Sequence, residues 1–104
     1  MYITQKAGDV RFEWDPRKNV LNIRKHNLSF ETAKFVFQDP QIHSELDRIL
    51  DGEERWQSIG YVDDILIVLV AHTTRDEDGE EVIHILSARK ATKRERNRYE
   101  EEQR

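Results

Sequence analysis

Six consecutive apolar residues, Ile65-Leu66-Ile67-Val68-Leu69-Val70, set the strongest limit on the fold. A strand so patterned needs cover on both faces, which predicts a central strand, here Ile65 to Thr74, with other structure packed above and below it. Continued to Ala71, the run stays far short of the ~20 residues that cross a bilayer. Flanking segments alternate apolar and polar residues, the period of half-buried strands: Arg55 to Val62 before it and Val82 to Ser87 after it. Asp63-Asp64 reads as a two-residue hairpin between the first pair, although it lacks the favoured glycine. A second hairpin turns near Asp78-Gly79. Ile42 to Arg48 reads as an edge strand, followed by an acidic loop around Asp51-Gly52.

The N-terminal part has a helical period. Val10 to Trp14 reads as a short first strand, preceded by a loose leader over residues 1 to 9. Asp15 can cap a helix whose first position suits Pro16, since the N–H that proline lacks would be unpaired there. That helix is expected to run to about His26, with Val20, Ile23 and Leu21 inward and Asn27 as a left-handed terminator. Ser29 caps a second helix to about Phe37, with Phe30, Ala33 and Phe37 on one stripe, and Asp39-Pro40 ends it. Thr92-x-x-Glu95 has the capping-box spacing for a last helix to about Glu102. The expected architecture is α+β, in the order β-α-α-β-β-β-β-α, with a mainly antiparallel sheet and one domain over residues 1–104.

Composition removes several chemistries. There is no cysteine, which excludes disulfides, thiolate zinc sites and a cysteine nucleophile. The four histidines are 17, 29 and 12 residues apart, none at the spacing of a helical zinc pair. Thr74 to Gly79 resembles a calcium loop only until Ile85, which falls where the bidentate glutamate belongs. No phosphate-cradling glycine loop or dinucleotide fingerprint is present, so no metal and no cofactor are expected. Met1 to Lys6 lacks the apolar stretch of a signal peptide, and a cytoplasmic protein without a membrane partner is expected.

The formal charge of −4 argues against a general polyanion binder, but its distribution is uneven. Arg89 to Arg98 carries six basic residues against one acid, while Asp76 to Glu81 carries five acids and no base. The basic run is either a solvated face or the side on which a polyanion arrives. Its helix places Lys93, Arg94 and Arg96 near the positive end of the macrodipole, an arrangement better explained by a partner, RNA or protein, than by helix stability.

What remains is phosphate chemistry without metal. Cutting RNA that way needs the substrate's 2′-OH, a base, an acid and cations around the phosphorane. With the two-residue hairpin, Val62 opposes Ile65 and Arg55 opposes His72. If Thr74 pairs with Val82, His72 also opposes His84, with Arg75 at the rim. A one-residue slip would break this row and leave ordinary sheet histidines beside surface arginines.

A series of motifs narrows the choice. Phe12-Glu13-Trp14-Asp15, Asn22, Lys25-His26, Ser29-Phe30-Glu31-Thr32-Ala33, Phe37-Gln38-Asp39-Pro40, Glu54-Arg55 with Gly60, His72-Thr73-Thr74-Arg75 and Leu86-Ser87-Ala88-Arg89-Lys90-Ala91, leading to Glu95-Arg96 and Tyr99, resemble the BrnT family. The resemblance runs from about residue 11 to residue 100. It implies a RelE-like fold and an endoribonuclease toxin that blocks translation. It also implies a BrnA-type antitoxin, through whose own DNA-binding domain the pair reaches operator DNA. Carried over by position, Arg55, His72 and Arg75 are the expected catalytic residues, with His72 as base or acid. His84, Arg89, Lys93 and Tyr99 are the expected substrate-binding residues, and Lys25 and His26 lie further out. His84 stands where relatives often carry arginine, and Asn27 where they often carry glycine. Arg89 has a second reading, a salt bridge anchoring the last helix to the sheet. The rival function is a non-catalytic regulator or protein-interaction partner of a DNA-binding antitoxin.

Overall fold

The apolar run lies in β5 (Leu66–Glu77) except for Ile65, the expected first residue of the strand, which instead is exposed in the preceding turn. β5 stands inside a six-stranded sheet of the computed structural model, which describes residues 1 to 103. The other strands are β1 (Ile3–Ala7), β2 (Val10–Trp14), β3 (His43–Leu50), β4 (Glu53–Val62) and β6 (Glu80–Lys90), in the spatial order β1-β2-β6-β5-β4-β3. All neighbours are antiparallel except β2 and β6, which run parallel. As β5 requires, the sheet is covered on both faces. On one face Trp14, Val68, Val70 and Ile85 pack under Phe30 of α2 (Phe30–Ala33) and Val36 of a 3₁₀ turn (Lys34–Gln38). On the other, Ile59, Ile67 and Leu69 pack under Tyr99 of α3 (Lys93–Glu101).

The caps form where side-chain chemistry predicts them. Asp15 accepts from the Arg17 N–H ahead of α1 (Pro16–His26), and Asn27 ends that helix at φ 53°. Thr92 and Glu95 close a reciprocal capping box on α3. No helix among the described residues is long and apolar enough to cross a membrane.

Four expectations need correction. The expected loose leader contributes β1, paired with β2 from Ile3 opposite Trp14 to Ala7 opposite Val10, so the order gains a strand. The second helix tightens into the 3₁₀ turn after Ala33, which turns Val36 inward beside Phe30 and Ala33. Val20, Leu21 and Ile23 of α1 are exposed, and Asn22 is the buried residue of that helix. Fourth, β5 is shifted by one residue against both neighbours, so Trp56 rather than Arg55 faces His72.

Asn22 is buried for an identifiable reason. β2 pairs with β6 only from Glu81 to His84, which leaves the rest of that edge of β6 without a neighbouring strand. The Asn22 amide substitutes for one: its Nδ2 donates to the carbonyls of Ala88 (2.8 Å) and Leu28 (2.9 Å), and its Oδ1 accepts from the Ala88 N–H (3.1 Å). Asn22→Ala strands three buried backbone groups and is expected to cost about 2–4 kcal/mol. Urea unfolding checks this, and a loss under about 1 kcal/mol would contradict the edge-cap account.

Candidate active site

Strand alternation puts Glu13 on the face of β2 opposite Phe12 and Trp14, and the parallel register sets it beside His84 of β6. His84 is opposite Thr73 of β5. Arg75, two residues along β5, therefore shares that face. Glu53 and Arg55 of β4, Leu86 of β6, Lys18 of α1 and Tyr2 complete the walls of a cleft of about 300 Å³.

Glu13, only 6% exposed, accepts two parallel hydrogen bonds from Arg75, Nη1 at 2.9 Å and Nη2 at 2.8 Å, and lies 2.7 Å from His84 Nδ1. The guanidinium bonds outweigh the upward push of burial and, with His84 adding to them, hold the carboxyl down to about 2. The same contact raises the pKa of Arg75. An ionised carboxylate only accepts, so His84 Nδ1 carries the donated proton and Nε2 remains for an incoming group. The Tyr2 ring tilts over the imidazole with centroids 4.7 Å apart. On the far wall Arg55 is paired through Nη2 with Glu53 at 3.2 Å. Its buried Nε has no hydrogen-bond partner among the described residues, and such a donor gains from an acceptor entering the cleft.

Three expected site residues thus share a face: Arg55, Arg75 and His84. His72 does not join them. The Asp63-Asp64 connection takes three residues, with both aspartates left-handed and Val62 opposite Leu66. Trp56, not Arg55, therefore faces His72. The Asp78-Gly79 turn shifts β6 by one residue in the same sense, with Glu77 opposite Glu80. The two slips cancel between β4 and β6 and change only which residue of β5 lies between them. Thr73 fills the place expected for His72, whose side chain faces the opposite side of the sheet.

His72 is 4% exposed. Its Nε2 is 2.7 Å from Ser58 Oγ, and the Phe37 ring meets it edge-on at 5.0 Å. Burial pushes its pKa down to about 4, so it is a neutral core histidine out of reach of a phosphate held by Arg55 and Arg75. Tyr99 is likewise buried, its hydroxyl donating to Asp39 Oδ2, which also accepts from the Tyr61 N–H at 2.7 Å. This contact ties α3 to the loop before β3 and leaves Tyr99 without access to substrate. Gly60 permits it, because a Cβ there would stand 3.0 Å from Asp39 Oδ2. Arg89 makes the anchoring salt bridge to Glu95, at 2.7 and 3.0 Å. Lys93 is exposed on the first turn of α3, and neither it nor Arg89 lines the Glu13 cleft.

Glu13 is the functional candidate that residue reasoning missed. Its signal was a carboxylate between two large aromatics in a strand, which alternation places on the far face. The partner strand that gives it meaning is about 70 residues away, at His84.

Fold and cleft together define a small α+β protein in which an imidazole–carboxylate pair sits among guanidinium groups, equipment for handling an anionic substrate. The family model described as "Ribonuclease toxin, BrnT, of type II toxin-antitoxin system" matches residues 14–95. The chain belongs to the BrnT family of ribonuclease toxins. Among solved structures it is similar to the 1.1 Å crystal structure of the Brucella abortus ribonuclease toxin BrnT, at 24% identity and a TM-score of 0.53, over 77% of this chain and 94% of that one. No curated protein matches.

Proposed function

We propose that the chain is an endoribonuclease that cuts RNA by internal attack of the 2′-OH and so blocks translation, with His84 moving the proton. The observation that carries this reading is the Glu13–His84–Arg75 cluster facing Arg55 across one cleft. Glu13 fixes the imidazole by its Nδ1, so Nε2 presents a lone pair to the 2′-OH and removes its proton. The 2′-oxygen attacks phosphorus, the bond to the 5′-oxygen breaks, and the imidazolium returns the proton to that oxygen. The products are a 2′,3′-cyclic phosphate and a 5′-hydroxyl. Arg55 and Arg75 neutralise the charge of the phosphorane. In this reading His84 takes the role of base or acid expected of His72, whose side chain faces the other side of the sheet. Where relatives often carry arginine, this chain has a titratable group in place of a fixed charge.

Family membership supports a protein antitoxin as the partner. We read that antitoxin as BrnA-type, joining the pair to operator DNA through its own domain, and the chain as one RelE-like domain acting in the cytoplasm. The non-catalytic alternative has one observation in its favour: Arg75 is already engaged by both Glu13 and Glu77.

Incubation of the purified chain with 5′-labelled messenger RNA in EDTA, with and without ribosomes and antitoxin, tests the reading. Fragments ending in 2′,3′-cyclic phosphate that disappear when antitoxin is added are the expected result. Intact RNA from a folded chain that still binds antitoxin would transfer the assignment to the regulator.

A further inference from the structure

The cations of α1 have no part in that chemistry, yet their placement is regular. The helix carries Arg17, Lys18, Arg24 and Lys25 and no acidic residue, and Asn22 fixes it along the open edge of β6. Lys18, Leu21 and Lys25 fall at i, i+3 and i+7, on one side of the helix. Lys18 lines the Glu13 cleft. Lys25 lines a second cleft of about 500 Å³, where Arg24, His26, Arg89 and Lys90 also stand and no acidic residue contributes. Between them Leu21 is 59% exposed. Among the described residues, Lys18, Arg24, Lys25 and Lys90 make no ion pair with a carboxylate. Lys18 to Lys25 spans ~10 Å along the helix axis, and His84 to Arg89 spans ~17 Å along the neighbouring strand. Val20, Leu21 and Ile23 lie exposed among these cations, but the positive charge runs on past them to Lys90 of β6, and a row of cations of that length suits a chain of phosphates.

We propose that α1 is a guide for single-stranded RNA, leading from the phosphate in the Glu13–His84 cleft to a second backbone-binding site formed by Arg24, Lys25, Arg89 and Lys90. The choice of RNA rests on the ribonuclease reading, but the test does not need cleavage. The probe is a twelve-nucleotide single-stranded RNA, fluorescein-labelled and 2′-O-methylated so that it cannot be cut, followed by anisotropy between about 50 and 200 mM salt. A three-nucleotide RNA of the same chemistry, short enough to occupy the Glu13 cleft alone, is the control.

The double variant Arg24→Glu/Lys25→Glu changes two exposed side chains, and circular dichroism verifies its fold. It is expected to bind the twelve-mer at least tenfold more weakly and to flatten the salt slope by about 1.4, two lost phosphate contacts at ~0.7 each. The three-mer should bind it as it binds the wild type. Equal affinity and slope for the twelve-mer would overturn the guide, as would a three-mer weakened as much as the twelve-mer. Antitoxin binding lost while RNA binding stays intact would overturn it in favour of a protein-docking face. If the wild type cuts no RNA but the double variant shows the expected loss, the guide stands and the ribonuclease reading falls.

Discussion

Glu13→Gln is expected to lower RNA cleavage by about 10²- to 10⁴-fold, the range contributed by a positioned proton-transfer group. The substitution keeps the side chain's size and one acceptor for Arg75, but removes the charge that stabilises the imidazolium formed when His84 takes a proton. It also permits the amide to donate toward His84 Nδ1, which would place the ring proton on Nε2 and hide the lone pair from the substrate. His84→Ala should give a loss of the same order. Because the two act as one unit, the double variant should be little worse than either single variant. The readout is kcat/KM on a labelled RNA, with the fold verified by circular dichroism. Arg75 is half-exposed and also paired with Glu77, so it keeps an acceptor in either variant and both should stay folded. A folded Glu13→Gln protein cleaving at the wild-type rate would remove Glu13 and His84 from the chemistry.

The second large effect concerns stability. His72 titrates near 4 in the fold, lowered by burial, against 6.5 when exposed. Because the folded value is depressed, the unfolded chain binds the proton first as pH falls. The stabilisation is therefore whole above about pH 6.5 and is lost progressively down to about pH 4. At pH 5 the folded ring is still neutral and the unfolded ring is charged, a difference of about 2 kcal/mol. For a chain of this length that corresponds to a fall in Tm on the order of 10 °C between pH 7.5 and 5. His72→Gln retains a polar contact to Ser58 without a titrating group, and its Tm should fall by that much less over the same range. Parallel Tm curves for wild type and variant would show that His72 is not the buried titrating group.

Local chemistry made much of this fold legible. The apolar run of β5 announced its central position, and Asp15, Ser29 and Thr92 marked three helix starts that form as read. Asn27, Asp63, Asp64 and Asp78 all adopt left-handed backbone, as turn and cap positions invite. Legibility failed where the answer depended on a count or on distance. One extra residue in the Asp63-Asp64 connection turned His72 from the cleft into the core, and no local rule chose between two and three residues there. The pairing of β1 with β2, and of β2 with β6, joins segments whose patterns do not name each other. α1 misled for another reason. Lying along a sheet edge rather than across a face, it buries an amide that completes a strand and leaves Val20, Leu21 and Ile23 in water. In the candidate site, Arg55 and His84 were correctly placed together because two equal slips cancelled, whereas Glu13 required the parallel pairing.

That pairing also sets a timetable. Glu13 leaves the ribosome before His84, its hydrogen-bonded neighbour on β6, which is 71 residues behind it. At ~5–20 residues per second the nascent chain spends several seconds holding half of the cluster with nothing to complete it. Until β6 emerges and slots between β2 and β5, no imidazole is fixed and no phosphate can be gripped. A chain that cuts RNA would then be harmless to the message from which it is being translated until β6 has been made and has emerged.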